Sequence, residues 1–189
     1  MMVILTELSE GSSSSPISGH KYDVFLSFRD IDTRNGFTDH LHKALLDANI
    51  NTFLDDEEIQ TGDDLKPELE SAITASRASI IVLSQNYASS TWCLDELVLI
   101  LDLRRTSKHI VIPIFYHVDP TDVRKKQSRF QDALPEHKQR MEAETDAEKR
   151  SQQAHKIELW RKALSEVADL KGMNAMAGNH FLATPFLRI

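Results

Sequence analysis

The 189-residue chain is 41% hydrophobic and 27% charged, a composition typical of one globular domain with its own core. Its net charge of −7 argues against a dedicated binder of nucleic acid or of anionic membranes. A single cysteine excludes an internal disulfide framework, and no apolar run approaches the roughly 20 residues that span a bilayer, so we expect a cytoplasmic or nucleocytoplasmic protein.

A leader and then an alternation of strands and helices follow along the chain. Residues 1–19 are rich in Ser, Gly and Pro, which predicts a flexible segment without a core. The predicted elements in chain order are a strand at 22–28, a helix within 33–50, a strand at 51–54, a polar loop at 55–64, a helix at 65–76, a strand at 79–84, a helix at 95–105, a strand at 109–118, a charged stretch at 136–156 and an amphipathic helix at 157–170. This βαβαβαβ order with near-continuous apolar strands predicts an α/β fold, a parallel sheet with helices on both faces.

The strand ends indicate where a site should lie. Open parallel sheets bind ligands outside the carboxyl ends of their strands, at the point where the strand order reverses. With the flavodoxin-like order 2-1-3-4-5, that point lies between the first strand, which ends in Phe28 and Arg29, and the third, which ends at Ser84. We therefore predict that Trp92 and Glu96, at the entry to the next helix, face the end of the first strand.

Several common chemistries have no matching pattern in the chain. Neither GxGxxG nor GxxxxGK occurs, so a phosphate-cradling glycine loop is not predicted. His40 and His42 are two residues apart and point to different sides of a helix, and Cys93 has no partner cysteine, so no metal site is predicted. There is no G-x-S-x-G elbow, although composition alone leaves a Ser/His/Asp triad open.

Four long segments, in order, resemble the successive motifs of plant-type TIR (Toll/interleukin-1 receptor homology) domains. They are "YDVFLSFRDIDTR", "FLDDEEIQTGDDLKPELESAI", "IIVLSQNYASSTWCLDEL" and "VIPIFYHVDPTDVRKKQSRF". The resemblance covers residues 20–172. It implies a flavodoxin-like three-layer fold with a parallel sheet in the order 2-1-3-4-5, in a TIR-only protein or a truncated TIR-type immune receptor.

The resemblance also implies a chemistry. Members of the family self-associate in immune signalling, and many cleave NAD or NADP at the nicotinamide–ribose bond. The match puts the catalytic glutamate at Glu96 and a self-association contact at His40, and it makes 55–65 the loop that gates the pocket. NAD(P)+ is the substrate, so no cofactor is expected. The implied substrate-binding residues are Phe28, Arg29, Phe53, Asp55, Ser84, Trp92 and Cys93.

The chain departs from the family pattern in two places. Asp30 replaces a glycine beside the pocket and adds a negative charge where the substrate phosphates approach, so we include it in the substrate-binding set. The family continues after residue 172 with a short strand and a final helix. We predict that an atypical tail at 173–189 replaces or truncates both, because Pro185 disfavours a helix there.

The same residues have ordinary structural explanations. Asp95 and Glu96 are acids of the kind favoured in a first helical turn, where the helix dipole is positive, and Ser90 or Thr91 is predicted to cap that helix. Trp92 could be a packing residue at the entry to the helix, and Cys93 a small buried apolar group. Ser84 could simply end a strand, Arg29 could form a surface ion pair, and Asp55 could belong to a solvated loop.

Two functions remain open at this point. One is an NAD(P)+ glycohydrolase of plant innate immunity that is activated by self-association. The other is a TIR interaction module without turnover. The expected partners are NAD(P)+, further copies of the chain through TIR–TIR contacts, and other TIR proteins. No membrane partner is expected, and the acidic balance neither supports nor excludes processing of nucleic acid.

Overall fold

The computed structural model describes residues 19–54, 67–125, 128, 130 and 133–175. Nearly all of the predicted leader, the loop at 55–65 with Asp55, and the tail from 176 onward lie outside these residues.

Strands and helices alternate over most of the described chain. The strands are β1 Tyr22–Phe28, β2 Thr52–Leu54, β3 Ser76–Leu83, β4 Ile110–Tyr116 and β5 Met173–Ala175. The α-helices are α1 Asp30–Thr33, α2 Asp39–Asp47, α3 Pro67–Thr74, α4 Thr91–Ser107, α5 Pro120–Arg124, α6 Ala133–Glu142 and α7 Ala147–Asp169. A π-helical segment, Arg34–Thr38, joins α1 to α2, and a short 3₁₀ turn, Tyr87–Ser89, precedes α4.

All strand pairs in the described chain are parallel and form one sheet in the order β2-β1-β3-β4-β5. This confirms the predicted flavodoxin-like order. In the register, Leu26 of β1 lies opposite Leu54 of β2 and Ile80 of β3. The carboxyl ends of β1 and β3 are therefore neighbours at one edge, as the predicted switch point requires.

Each face of the sheet packs against its own apolar layer. Phe25 of β1 belongs to a large cluster with α3, α4, α6 and α7, whereas Val24 and Leu26 pack on the other face with Leu41 and Leu45 of α2. Side chains that alternate along β1 thus enter different layers. No helix in the described ranges is both long and apolar enough to cross a membrane.

The first helix differs from its prediction in its start and in its continuity. It begins at Asp30, directly after β1, and is interrupted by the π-helical segment, in which Asn35 has the non-helical angles φ −75° and ψ 25°. The interruption falls on an Asn-Gly pair, and both residues have low helix propensity.

Helix α4 also begins earlier than predicted, at Thr91 and not near residue 95. Ser90 caps it, because the Ser90 Oγ accepts a hydrogen bond from the Cys93 N–H at 3.3 Å. The predicted cap is confirmed. The first-turn explanation for Asp95 and Glu96 is wrong, since both lie in the second turn, where the dipole effect has largely faded.

A last strand of three residues is present, so the predicted tail does not replace this strand. The part of the prediction that concerns the final helix lies outside the described residues. Met173–Ala175 pair with β4 in parallel from Ile114 onward. Gly172 makes the approach possible. A Cβ at this position would lie 2.6 Å from the Pro113 carbonyl oxygen and 2.7 Å from a ring carbon of Phe115.

Candidate functional site

Three segments meet at the carboxyl edge of the sheet: the end of β1, the loop after β3 and the start of α4. The Cys93 Sγ–H donates a weak hydrogen bond to the Phe28 carbonyl oxygen at 3.4 Å, which joins α4 to β1. The ring of Phe28 packs instead on the α2 face, with the Arg34 guanidinium 5.6 Å from its centre. The structure therefore brings the Phe28 backbone, and not its side chain, to Cys93.

Glu96 points from the second turn of α4 back onto β1. Its side chain is buried, with the residue only 7% exposed, and the Ser27 Oγ–H donates to its Oε2 at 2.6 Å. A hydrogen bond to the charged form favours that form of a carboxyl group. The Ser27 hydroxyl is thus a contact that favours the ionised form of Glu96 over the protonated one.

Tyr87 and Cys93 lie close to the Ser27–Glu96 hydrogen bond, and both are neutral. Burial, and then the neighbouring Cys93 and Glu96, raise the pKa of the Tyr87 phenol well above its usual value of 10. Burial, followed by the charge of Glu96, raises the pKa of the Cys93 thiol to about 12. Cys93 is therefore a buried thiol and no nucleophile at neutral pH.

Asp32 fastens the loop after β3 to α1. Its carboxylate accepts hydrogen bonds from the Ser84 Oγ–H at 2.6 Å and from the backbone and side-chain amides of Asn86 at 3.0 Å each. The hydroxyl proton of Ser84 is thus already committed to Asp32. Sequence reasoning missed Asp32, although its position four residues after a strand end was a usable signal.

Ser27 and Tyr87 were missed as well. Ser27 is a polar residue at a fully buried position within the apolar run of β1, and that mismatch was the available signal. Tyr87 lies in a loop that reads as polar, yet its side chain is completely buried. Nothing in the sequence pattern pointed to it.

Arg29 and Asp30 follow β1 directly. Among the described residues, the Arg29 Nε is buried without a hydrogen-bond partner. The Arg29 charge acts on Cys93, so its guanidinium lies within electrostatic reach of the same cluster. Asp30 is half exposed and forms an ion pair with Arg34 at 2.9 Å, which partly offsets the negative charge expected to oppose substrate phosphates.

Trp92 and Phe53 lie on the same face of the sheet as Glu96, but both are largely used for packing. Trp92 is 7% exposed and belongs to the core cluster of that face. The Phe53 ring stacks on Phe25, with ring centres 5.6 Å apart, and contacts Tyr22 edge-on at 5.1 Å. Phe53 lies opposite Phe25 in the register, and Phe25 is two residues before Ser27 in β1. Phe53 is therefore set back from the carboxyl edge of the sheet, where the candidate site lies.

Asp95, adjacent to Glu96, has a structural role that the sequence did not indicate. Its carboxylate accepts hydrogen bonds from the Trp160 Nε1–H at 2.7 Å and from the Lys156 ammonium at 3.1 Å. Both donors are on α7. The dipole explanation for Asp95 is replaced by this tie between two helices.

His40 lies apart from the Glu96 cluster, on the exposed side of α2. Its Nδ1 is 2.6 Å from the Gly36 carbonyl oxygen, which orients the ring along the helix. The predicted pocket residue Asp55 lies outside the described residues.

Comparison with known proteins agrees with this architecture. A family model described as "TIR domain" matches residues 21–181. The chain is 45% identical over 170 residues to Disease resistance protein RPV1 of Vitis rotundifolia, which covers 89% of this chain and 11% of that protein. It is 45% identical over 161 residues to TMV resistance protein N of Nicotiana glutinosa, which covers 85% of this chain and 13% of that protein. The chain thus spans a small part of the length of these relatives.

A solved structure is similar to the chain in both fold and sequence. It is titled "Structure of the activated Roq1 resistosome directly recognizing the pathogen effector XopQ (TIR domains)". The match has a TM-score of 0.68 and 42% identity, and it covers 82% of this chain and 87% of the other. Since the family model matches well over half of the sequence and the strand order is that of the Roq1 TIR domain, this chain belongs to the TIR domain family.

Proposed function

We propose that this TIR domain is an NAD(P)+ glycohydrolase that cleaves the nicotinamide–ribose bond in plant innate immune signalling and is activated by self-association. The observation that carries the proposal is the Glu96 carboxylate, which lies at the switch point of the sheet and receives the Ser27 hydroxyl at 2.6 Å. The single cysteine is in keeping with a cytoplasmic or nucleocytoplasmic site of action.

One carboxylate is sufficient for this reaction. Most glycosidases need a second carboxyl group, as an acid that protonates the leaving oxygen. The nicotinamide ring of NAD is already cationic at its nitrogen and leaves as a neutral molecule, so no general acid is required. The remaining task is to stabilise an oxocarbenium-like ribose, which a preorganised carboxylate in a low-dielectric site can do.

Two buried polar atoms, one after β1 and one at the start of α4, favour an anionic or hydroxyl-rich ligand. Within the described residues, the Arg29 Nε and the Thr91 Oγ1 are buried without hydrogen-bond partners. A buried donor left unpaired costs about 1–3 kcal/mol, and a ligand that pairs it recovers that energy. Guanidinium groups bind phosphate well, which suits the diphosphate of NAD.

Self-association is part of the proposal because the site is closed in the single chain. Glu96 and Trp92 are each only 7% exposed, so a substrate needs a rearrangement to reach the carboxylate. The Roq1 TIR domains that this chain resembles belong to an activated resistosome. We assign one self-association contact to His40, which is exposed on α2.

The same closure favours a second candidate, an interaction module without turnover. In that case the carboxylate, Ser27 and Tyr87 act as a buried polar joint between α4 and β1 and never meet a substrate. Signalling then rests on contacts between TIR domains alone.

Nicotinamide release distinguishes the two. Purified protein is incubated with NAD+ or NADP+ over a wide range of protein concentration, and the rate per protomer is measured. The proposal predicts that this rate rises with concentration and falls about 100-fold or more in Glu96→Gln, which keeps the shape of the side chain but removes its charge.

Asp95→Asn is the matched control, because it removes the neighbouring carboxylate on the same helix and retains most of the activity. His40→Ala is expected to require a higher concentration for the same rate. Absence of release at every concentration would favour the interaction module. Equal release by Glu96→Gln would overturn the assignment of the reaction to Glu96.

A further inference from the structure

Ser27 is the second-to-last residue of β1, and its hydroxyl is buried. The residue is 0% exposed, and its Oγ–H donates to the Glu96 Oε2 at 2.6 Å. That distance is typical of a hydroxyl bonded to a charged carboxylate. Ser27 cannot reach a substrate without leaving the core, so any part it has in the reaction passes through Glu96.

Tyr87 lies behind Ser27 and holds it. The Tyr87 hydroxyl is 2.8 Å from the Ser27 Oγ and donates to the Cys93 carbonyl oxygen at 2.8 Å. The raised pKa of Tyr87 keeps this phenol protonated, so it remains a donor to the first turn of α4. The Ser27 proton then has two possible acceptors, a phenol oxygen and a carboxylate, and hydrogen bonds to a charged acceptor are roughly twice as strong.

The chain of contacts is anchored at both ends. Ser27 belongs to β1, which has parallel neighbours on both sides. The other end is the Cys93 carbonyl in the first turn of α4, where Ser90 caps the helix and the Cys93 thiol bonds the Phe28 carbonyl. Neither end can shift without breaking buried hydrogen bonds, so the direction of the Ser27 donor is set by the fold.

We propose that Ser27, supported by Tyr87, is the positioning residue that orients the Glu96 carboxylate and favours its ionised form. This inference rests on the proposed function and adds to it the group that prepares Glu96. The helix dipole contributes little at this position, since Glu96 lies beyond the first turn of α4.

The test compares Ser27→Ala with wild type in the nicotinamide-release assay across pH. Because Ser27 does not touch the substrate, we expect kcat to fall about tenfold to a hundredfold while KM stays nearly constant. We also expect the acidic limb of the kcat profile to move to higher pH, since the carboxylate loses a donor that favours its charged form.

Ser76→Ala is the matched control. Ser76 is an equally buried serine at the start of β3, and its hydroxyl donates to the Ala72 carbonyl oxygen, away from Glu96. It reports the effect of losing a buried serine hydroxyl on the sheet as a whole. Ser27→Thr keeps the donor and is expected to restore the acidic limb, with some loss of stability from the added methyl group.

A second readout does not depend on turnover. The Glu96 carboxyl ¹³C resonance, assigned by its absence in Glu96→Gln, is followed against pH in wild type, Ser27→Ala and Ser76→Ala. A higher titration midpoint in Ser27→Ala alone supports the inference. An unchanged midpoint, or a kcat profile equal to that of Ser76→Ala, overturns it while the glycohydrolase proposal stands. Nicotinamide release that is unchanged in Glu96→Gln overturns the catalytic role of Glu96. The carboxyl titration then still tests whether Ser27 favours the ionised form of Glu96.

Discussion

His109 is a buried histidine at the amino-terminal end of the sheet, far along β4 from the candidate site. The residue is 7% exposed, and its Nε2 lies 2.8 Å from the Ser79 Oγ. Burial, assisted by the nearby His20, lowers the pKa of His109 to about 4. The folded protein therefore holds this ring neutral at pH values where an unfolded chain protonates it.

This difference predicts a loss of stability in acid. The unfolded histidine has a pKa of about 6.5, so the stabilisation is fully present above that pH and is lost as the pH falls from about 6.5 towards 4. Between pH 7 and pH 5 we expect His109 to contribute a decrease of about 2 kcal/mol in the free energy of unfolding, measured by urea denaturation. His109→Gln has no titrating ring and should show a shallower decrease over this range. Equal slopes in the two proteins would contradict the assignment.

Adjacent acids can have opposite roles because a helix turns about 100° per residue. Asp95 points to α7, whereas Glu96 points to β1. The sequence pattern alone does not distinguish the roles of these two adjacent acids. Their partners come from residues 61 to 69 positions away in sequence, so only the folded chain separates them.

At the scale of elements, the long helix α7 packs on α4 through apolar side chains, a part-buried polar contact and exposed ion pairs. The part-buried contact joins Trp160 and Asp95, with Lys156 beside it. The exposed ion pair Arg105–Glu166 also joins α4 to α7. Arg161–Glu158 is an exposed ion pair within α7 itself. A part-buried hydrogen bond to a charged group contributes more to the free energy of unfolding than an exposed ion pair does, because water competes less for the buried groups.

Trp160→Phe is expected to lower the free energy of unfolding by about 1–3 kcal/mol, since it removes the indole donor and leaves the Asp95 carboxylate partly buried. Glu158→Gln, which breaks the exposed pair on α7, should change it by less than about 1 kcal/mol. Urea denaturation of both variants measures the two effects. A similar small change in both would mean that Asp95 is well solvated and that the contact does not hold α7.

At the scale of the whole molecule, Gly172 decides whether the sheet receives its fifth strand. The chain passes from α7 to β5 directly over β4 at this point. An added Cβ would contact the Pro113 carbonyl at 2.6 Å, the Pro113 ring at 2.8 Å and Phe115 at 2.7 Å. A backbone carbonyl in a central strand cannot move aside without disturbing the ladder.

Gly172→Ala is therefore expected to destabilise the fold by about 1–3 kcal/mol. Gly36→Ala is the matched control, because a Cβ there meets nothing within 4 Å and the change restricts the unfolded chain. Thermal and urea unfolding of both variants provide the comparison. If Gly172→Ala unfolded like Gly36→Ala, the close approach of β5 to β4 would not be a feature of the protein in solution.

The alternation of apolar strands and amphipathic helices was readable from the sequence, and so was the edge of the sheet at which the candidate site lies. Local patterns suffice for this, because an apolar strand must be covered on both faces and parallel strands place their carboxyl ends together. The cap at Ser90 was also predictable from the local sequence, since the capping hydroxyl pairs with a backbone N–H only three residues away. The strand order and the family came from the motif resemblance, and the structure and the comparisons agree with both.

The partners of individual polar groups were decided by the tertiary structure alone. Ser27 meets Glu96 across 69 residues, Asp32 meets Ser84 across 52, and Asp95 meets Trp160 across 65. No periodicity encodes such pairs, because each depends on where two elements come together in space. The sequence by itself determined that a carboxylate stands at the entry to α4, and only the fold determined that a buried serine hydroxyl, and not the end of a helix, faces it.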